Sequence, residues 1–352
     1  MDASGFHHDC QPGKCQPRPL PADLRLAAAE RLVEAVGPAA REAARRIVDA
    51  GADGGIAFDH AYATIDVDRR AVRELALAIP SPGRSTLVFL SRPDAAGDRP
   101  TERAHCAAAL TEHLSALPGR PYDIAQALPA ARERWGVDAL VAARWRIVGE
   151  LAYMRRPLRP DDAPRSGLLR HREAEPELPD GVELEPFRIP DLGSANMGVL
   201  VNALDDSYRD TLDCPELCGM RRTSDIVASH AAIGRPELAI WTLVRHEGRP
   251  AGAVLLAGLP EQRCYELVYI GLGPSLRGQG LGEILMRRAI TQLGARVKQS
   301  AARSGWSLTC AVDTANTPAV RLYERLGFIA FDRRVACVHG LGVDLSTGVN
   351  RG

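Results

Sequence analysis

The stretch from Gly273 to Met286 reads Gly-Pro-Ser-Leu-Arg-Gly-Gln-Gly-Leu-Gly-Glu-Ile-Leu-Met, a composition suited to holding a phosphate ester with main chain. Glycines at 278, 280 and 282 permit positive φ and let the backbone approach a ligand closely. The apolar spacing from Gly282 predicts a helix that starts at once. Its first N–H groups lack intrahelical acceptors and lie at the positive end of the helix dipole, which makes an anion cradle. Two nucleotide-binding patterns fail on spacing. A P-loop needs Gly-x-x-x-x-Gly-Lys-Ser/Thr, and this stretch has no lysine. A dinucleotide fingerprint needs Gly-x-Gly-x-x-Gly, and the third glycine is missing whether the count begins at Gly271, Gly278 or Gly280. What remains is Arg-x-x-Gly-x-Gly, at Arg277, Gly280 and Gly282.

A second cluster follows the next strand: Asp313, Asn316, Ala319, Leu322, Tyr323, Glu324, Gly327 and Phe328. The two motifs, in this order and on these elements, closely resemble the GNAT superfamily of N-acetyltransferases. The resemblance covers 181–339 well and the first half in outline. It implies an acetyl-CoA-dependent N-acetyltransferase that transfers an acetyl group to a primary amine of a small molecule, by direct attack in a ternary complex. Acetyl-CoA would be the acyl donor, and no metal is expected.

By that resemblance, the amides of Arg277, Gly278, Gln279, Gly280, Leu281 and Gly282 would hold the CoA pyrophosphate. The strand end Tyr269, Ile270, Gly271 and Leu272 would pair with the pantetheine amides by strand addition. An N–H there, of Ile270 or Leu272, could stabilise the tetrahedral oxyanion, where losing a donor typically costs about 3–4 kcal/mol. Tyr323 resembles the general acid for the departing thiolate; the alternative is a core tyrosine. Asn316 would bond near the pantetheine or simply cap a helix. Glu266, on the strand entering the loop, is the candidate general base, against a plain solvated position. Cys264 and Cys310 would permit an acyl-cysteine route, although buried thiols are poor nucleophiles and direct transfer is preferred.

Elements must position these groups. After a Pro-rich leader (1–21), helical spacing from Asp23 to Ala50 breaks at Gly37-Pro38. Strand-like runs follow at 56–67, 72–79 and 86–90, then a helix at 101–117, a short strand at 122–125, helix to 143 and a strand at 147–154. Pro160, Pro164, Pro176 and Pro179 among charged residues mark a linker, 159–180. The same order of elements then recurs: strand 182–187, helices at 191–204 and 223–232, strands 239–245, 251–259 and 263–272, the Gly-rich loop, helix 282–297, strand 307–312, helix 317–326 and strand 328–338. The expected fold is α/β (an α+β mixed sheet) with two GNAT-like domains in tandem, 22–158 degenerate and 181–340 active, ending in a tail at 341–352. In the first copy the strand to Leu90 leads into Ser91-Arg92-Pro93-Asp94-Ala95-Ala96-Gly97-Asp98, one glycine and two acids where a pyrophosphate would have to sit. This tandem layout is similar to that of the mycothiol synthases, which acetylate a cysteinyl amino-sugar conjugate.

Composition agrees with a globular enzyme of two domains. The chain has 352 residues, 45 % hydrophobic, with Lys+Arg and Asp+Glu both at 44. A nucleic-acid binder would show a basic surplus; none is present, so no nucleic-acid partner is expected. No apolar stretch approaches the roughly 20 residues of a membrane span, and no secretory pattern opens the sequence, so a cytoplasmic protein without a membrane partner is expected. His7, His8, Cys10 and Cys15 match no closed zinc spacing. By the family resemblance, the segment Asp205–Arg222 would form the acceptor wall, and its Asp205, Asp206, Asp210, Asp213 and Glu216 beside Tyr208 suit a cationic or hydroxyl-rich molecule. A non-catalytic acyl-CoA-binding or regulatory module is the competing function.

Overall fold

A computed structural model describes residues 16–33, 37–52, 57–94, 97–163, 177–189, 193–299 and 304–342. The leader residues His7, His8, Cys10 and Cys15, the middle of the expected linker and the end of the expected tail lie outside the described residues. The chain forms two compact units: residues 1–147 with 335–352, and residues 148–334. The first unit is discontinuous in sequence, whereas the second runs unbroken from 148 to 334, and neither has the bounds 22–158 or 181–340.

In the first unit the strands run in the order β1 (Arg18–Pro19), β2 (Ala61–Asp66), β3 (Ala71–Ser81), β4 (Ser85–Leu90), β5 (Ile124–Ala127) and the last residues of β12 (Ile329–Gly340). Cys337 to Gly340 pair antiparallel with Ala127 to Ile124. From Leu75 to Ala78 strand β3 alternates: Leu75 and Leu77 enter a core with Ala28 and Phe58, while Ala76 and Ala78 enter one with Leu110 and Leu140. A strand buried on both faces needs helices on both sides. They are α1 (Arg25–Leu32) and α2 (Pro38–Ala52) on one, α3 (Pro100–Ser115) and α4 (Arg134–Ala142) on the other. Where β4 turns toward α3, the chain places its own charges. Arg103 and Glu74, both fully buried, form a bidentate pair with Nε–Oε2 at 3.0 Å and Nη2–Oε1 at 3.1 Å. The Ser91 hydroxyl donates to the same carboxylate at 2.6 Å.

In the second unit the order is β6 (Arg146–Pro157), β11 (Ser307–Asp313), β10 (Cys264–Leu272), β9 (Arg249–Leu259), β8 (Arg235–His246) and β7 (Val182–Phe187). Only β10 and β11 are parallel neighbours. On β9, Ala253 and Leu255 pack under α5 (Ser194–Tyr208) and α6 (Thr223–Ala231), and Val254 and Leu256 pack under α7 (Leu281–Gln299) and α8 (Thr317–Arg325). These opposite faces decide which groups reach a ligand from which side. Among the described residues no helix is long and apolar enough to cross a membrane.

Candidate active site

Strand β10 delivers the chain to the glycine-rich loop, and its two neighbours do not follow it equally. It pairs with β9 as far as Leu272↔Gly252, but with β11 only from Cys264↔Ser307 to Leu267↔Cys310. The register slips between Leu267 and Tyr269, so Val268 is an extra residue. A bulge bends its strand and interrupts the ladder. Beyond it β11 continues to Asp313 paired with β6, while Tyr269, Ile270, Gly271 and Leu272 have no β11 partner. An extended main chain could be added at that opening.

The loop then crosses the open end of the unit. Gly278 and Gly280 have φ of 75° and 77°, and a Cβ at either would meet open space, so only the backbone conformation demands glycine there. Gly273 is fixed for the opposite reason: a Cβ would strike the Asp206 carboxylate. Helix α7 begins at Leu281. Among the described residues the amides of Gly278, Gln279, Gly280, Leu281 and Gly282 donate to no acceptor, and the first capping bond is Glu283 N–H to Gly280 O at 3.0 Å. Residues 278–280 are exposed, so these donors face solvent at the positive end of a helix of 19 residues. The Gln279 side chain folds back to donate to Ser275 O at 2.7 Å.

Arg277 spends its guanidinium on the protein. Nε donates to Leu272 O at 2.9 Å, Nη1 to Asp210 O at 2.9 Å and Nη2 to Ser207 O at 2.8 Å. It ties the end of β10 to the chain leaving α5. The loop's anion-binding capacity therefore rests on amides, with this charge held behind them.

Tyr323 lies on α8 in the same core as Leu267, Cys310 and Phe328, its ring 5.5 Å from that of Phe328. Burial raises its pKa well above the ordinary phenol value, with Cys310 and Asp213 adding to the effect, so the hydroxyl stays protonated. Burial also pushes the Cys310 thiol up to about 12, which leaves it a poor nucleophile. Cys264 lies with Sγ 3.2 Å from the Thr309 hydroxyl.

Asn316 is the N-cap of α8, its Oδ1 accepting from Ala319 N–H at 3.3 Å, and it also hydrogen-bonds Asp213. Asp213 in turn accepts from Asp313 N–H at 2.9 Å, while Asp313 accepts from Cys214 N–H at 3.2 Å and Ala315 N–H at 2.9 Å. This reciprocal carboxylate lock fastens the 209–214 segment to the end of β11. Asp213 is a residue that spacing alone had placed only in a polar wall. Asp205 accepts from the Thr223 hydroxyl, and Asp206 pairs with Arg209. Asp205, Asp206 and Asp213 are thus engaged in bonds within the protein.

Glu266 and Tyr269 project from β10 on the α5 side of the sheet. Tyr269 meets the Ser207 hydroxyl, stacks against His230 at 5.9 Å and is edge-on to Tyr208 at 5.8 Å. Burial raises its pKa to about 12 and lowers that of His230 to about 4, so this cluster is uncharged. Glu266 is half-buried, without a hydrogen-bond partner among the described residues, and burial raises its carboxyl pKa. It faces a cleft of about 810 Å³ together with Tyr153, Arg155, Cys264, Thr309 and Phe331. The residues from β6 and β12 carried no motif in the sequence. Among the described residues no cluster of three or more His, Cys, Asp or Glu is arranged to hold a metal ion.

Part of the sequence matches known proteins. Residues 202–328 match the acetyltransferase (GNAT) family. A mycothiol acetyltransferase of Nocardiopsis dassonvillei is 31 % identical over 208 residues, 54 % of this chain and 57 % of that protein. The peptidyl-lysine N-acetyltransferase YjaB of Salmonella typhimurium is 30 % identical over 93 residues, 26 % of this chain and 52 % of that protein. The chain thus spans little more than half the length of these relatives. In fold it is similar to a GCN5-related N-acetyltransferase from Sphaerobacter thermophilus, with a TM-score of 0.54 at 18 % identity over 94 % of this chain and 98 % of that one. The loop, the opened strand and the α8 motif all fall within the segment, residues 202–328, that matches the acetyltransferase (GNAT) family.

Proposed function

We propose that the protein is an acetyl-CoA-dependent N-acetyltransferase that acetylates a primary amine of a small molecule by direct attack within a ternary complex. The observation that carries this reading is the run of unpartnered amides from Gly278 to Gly282, set directly after the opened end of β10. Amides at a helix N-terminus suit a pyrophosphate, and the free strand edge suits the two amides of pantetheine.

With the donor so placed, Glu266 accepts a proton from the incoming ammonium, directly or through water, and the amine attacks the thioester carbon. The tetrahedral oxygen takes a hydrogen bond from a main-chain N–H at Ile270 or Leu272. Collapse breaks the carbon–sulfur bond; Tyr323, held neutral by burial, protonates the leaving thiolate and is restored by the second proton that the nitrogen sheds on becoming an amide. The high pKa of the Cys310 thiol favours this direct route over an acyl-cysteine. The Asn316 side chain acts by capping α8 and holding Asp213, which keeps Tyr323 in place.

The test is calorimetric titration of the full chain with acetyl-CoA, followed by free-thiol release across a panel of amines, with Tyr323→Phe alongside. Binding with turnover that the variant loses supports the enzyme. Binding without turnover on any amine identifies a non-catalytic acyl-CoA-binding module, and absence of binding overturns both readings.

A further inference from the structure

Arg155, Thr309 and Glu266 lie in one row across β6, β11 and β10, since Thr309 is the register partner of both others. Register partners share a face, and all three line the cleft. With strands about 4.8 Å apart, the Cα atoms of Arg155 and Glu266 are roughly 10 Å apart. Among the described residues neither Arg155 nor Glu266 has an oppositely charged partner. Their neighbours do: Arg156 pairs with Asp162, Arg333 with Glu150 and Arg334 with Asp332. Arg155 is instead laid over an aromatic platform, its Cζ 4.4 Å from the centroid of the half-exposed Phe331 ring. Phe331 is edge-on to Tyr153 at 6.4 Å, and Arg334 covers Tyr153 at 5.5 Å. A guanidinium stacked by its face keeps its N–H edge available for a bidentate carboxylate.

We infer that the acceptor is an amine that also carries a carboxylate: the carboxylate binds Arg155 and the amine is presented to Glu266 two strand spacings away. This rests on the acetyltransferase reading and narrows it to a substrate class. The separation selects molecules in which several bonds lie between the two groups, as in a short peptide or an ω-amino acid, over free α-amino acids. Arg155 is a specificity-determining residue in this arrangement.

The experiment measures thiol release from acetyl-CoA by the full chain with triglycine and 8-aminooctanoate, each against its neutral amide, triglycinamide and 8-aminooctanamide. The carboxylates are expected to exceed the amides about tenfold in kcat/KM, mostly through KM. Arg155→Gln is expected to bring that ratio close to one, and Arg155→Lys to leave an intermediate value; thermal melting checks that both variants fold. A wild-type ratio near one, or a ratio that Arg155→Gln leaves unchanged, overturns the inference while leaving acetyl transfer standing. Thiol release with none of these amines nor with any neutral amine overturns the acetyltransferase reading, and this inference with it.

Discussion

Leu267 and Cys310 are the last residues that join β10 to its parallel neighbour β11, and the two strands part immediately beyond them. Tyr323 shares a core with both on the α7 and α8 face, while Glu266, one residue before Leu267, faces the cleft on the other. A neutral phenol and a carboxyl group therefore lie on opposite faces beside one gap, where the proposed reaction uses them as proton donor and proton acceptor. Direct transfer needs that separation, because the amine must lose a proton on one side of the thioester while sulfur gains one on the other.

Tyr323→Phe removes the donor and keeps the packing against Phe328. We expect kcat to fall by about 10²–10⁴-fold, with acetyl-CoA affinity by calorimetry within a factor of about three of wild type. An equal loss of affinity would place the hydroxyl in binding.

The raised carboxyl pKa of Glu266 has a definite sign in the pH profile. The base form dominates only above that pKa, so kcat/KM falls as pH drops through it. The acidic limb is therefore displaced upward from the ordinary glutamate value of about 4.3. Glu266→Gln is expected to abolish that limb and lower the rate at neutral pH by at least about a hundredfold. Steady-state rates across the pH range check both.

Gly280→Val places a β-branched residue at a φ of 77° in open space. The cost is conformational and local, so the amides should turn out of alignment with little global destabilisation. Acetyl-CoA affinity should weaken at least about tenfold while the melting temperature shifts by a few degrees, about 1–2 kcal/mol.

Arg277→Met leaves the carbonyls of Ser207, Asp210 and Leu272 without their donor. We expect a loss of about 2 kcal/mol in chemical denaturation. Lysine, which lacks the planar fork, should restore only part of it. A change confined to the salt dependence of acetyl-CoA binding, with stability intact, would instead assign the charge to phosphate.

Arg103→Met removes the bidentate partner of the fully buried Glu74 carboxylate in the first unit, leaving it the Ser91 hydroxyl and the longer contacts to Arg31 at 3.6 Å and Arg99 at 3.9 Å. Breaking one side of such a pair typically costs about 3–5 kcal/mol, and thermal melting should show the first unit unfolding early.

What could be read from sequence was local. The loop, its helix and the α8 motif lie where the glycine spacing and apolar periodicity put them, and β7 spans Val182–Phe187 as the alternation suggested. Pairing across the sheet was not legible, because a strand's partner is set by tertiary packing and leaves no mark in its own periodicity. For that reason Arg155, on a strand assigned by position to the first half, went unnoticed as a neighbour of Glu266. Arg277 shows the same limit in a side chain: its place in the motif is plain, but two of its three carbonyl partners, Ser207 and Asp210, come from a segment far away in sequence.

The exchange of final strands has a consequence for how this chain can be divided. The second unit takes β6 from the first half of the sequence, where it pairs along the whole of β11 from Ser307 to Asp313. A gene fragment encoding only the second half would carry the glycine loop and Tyr323 but present β11 as a bare edge, open to adhesion by other chains. The first half of the sequence thus supplies scaffold to the unit that carries the cradle, so a simple deletion of it would expose β11.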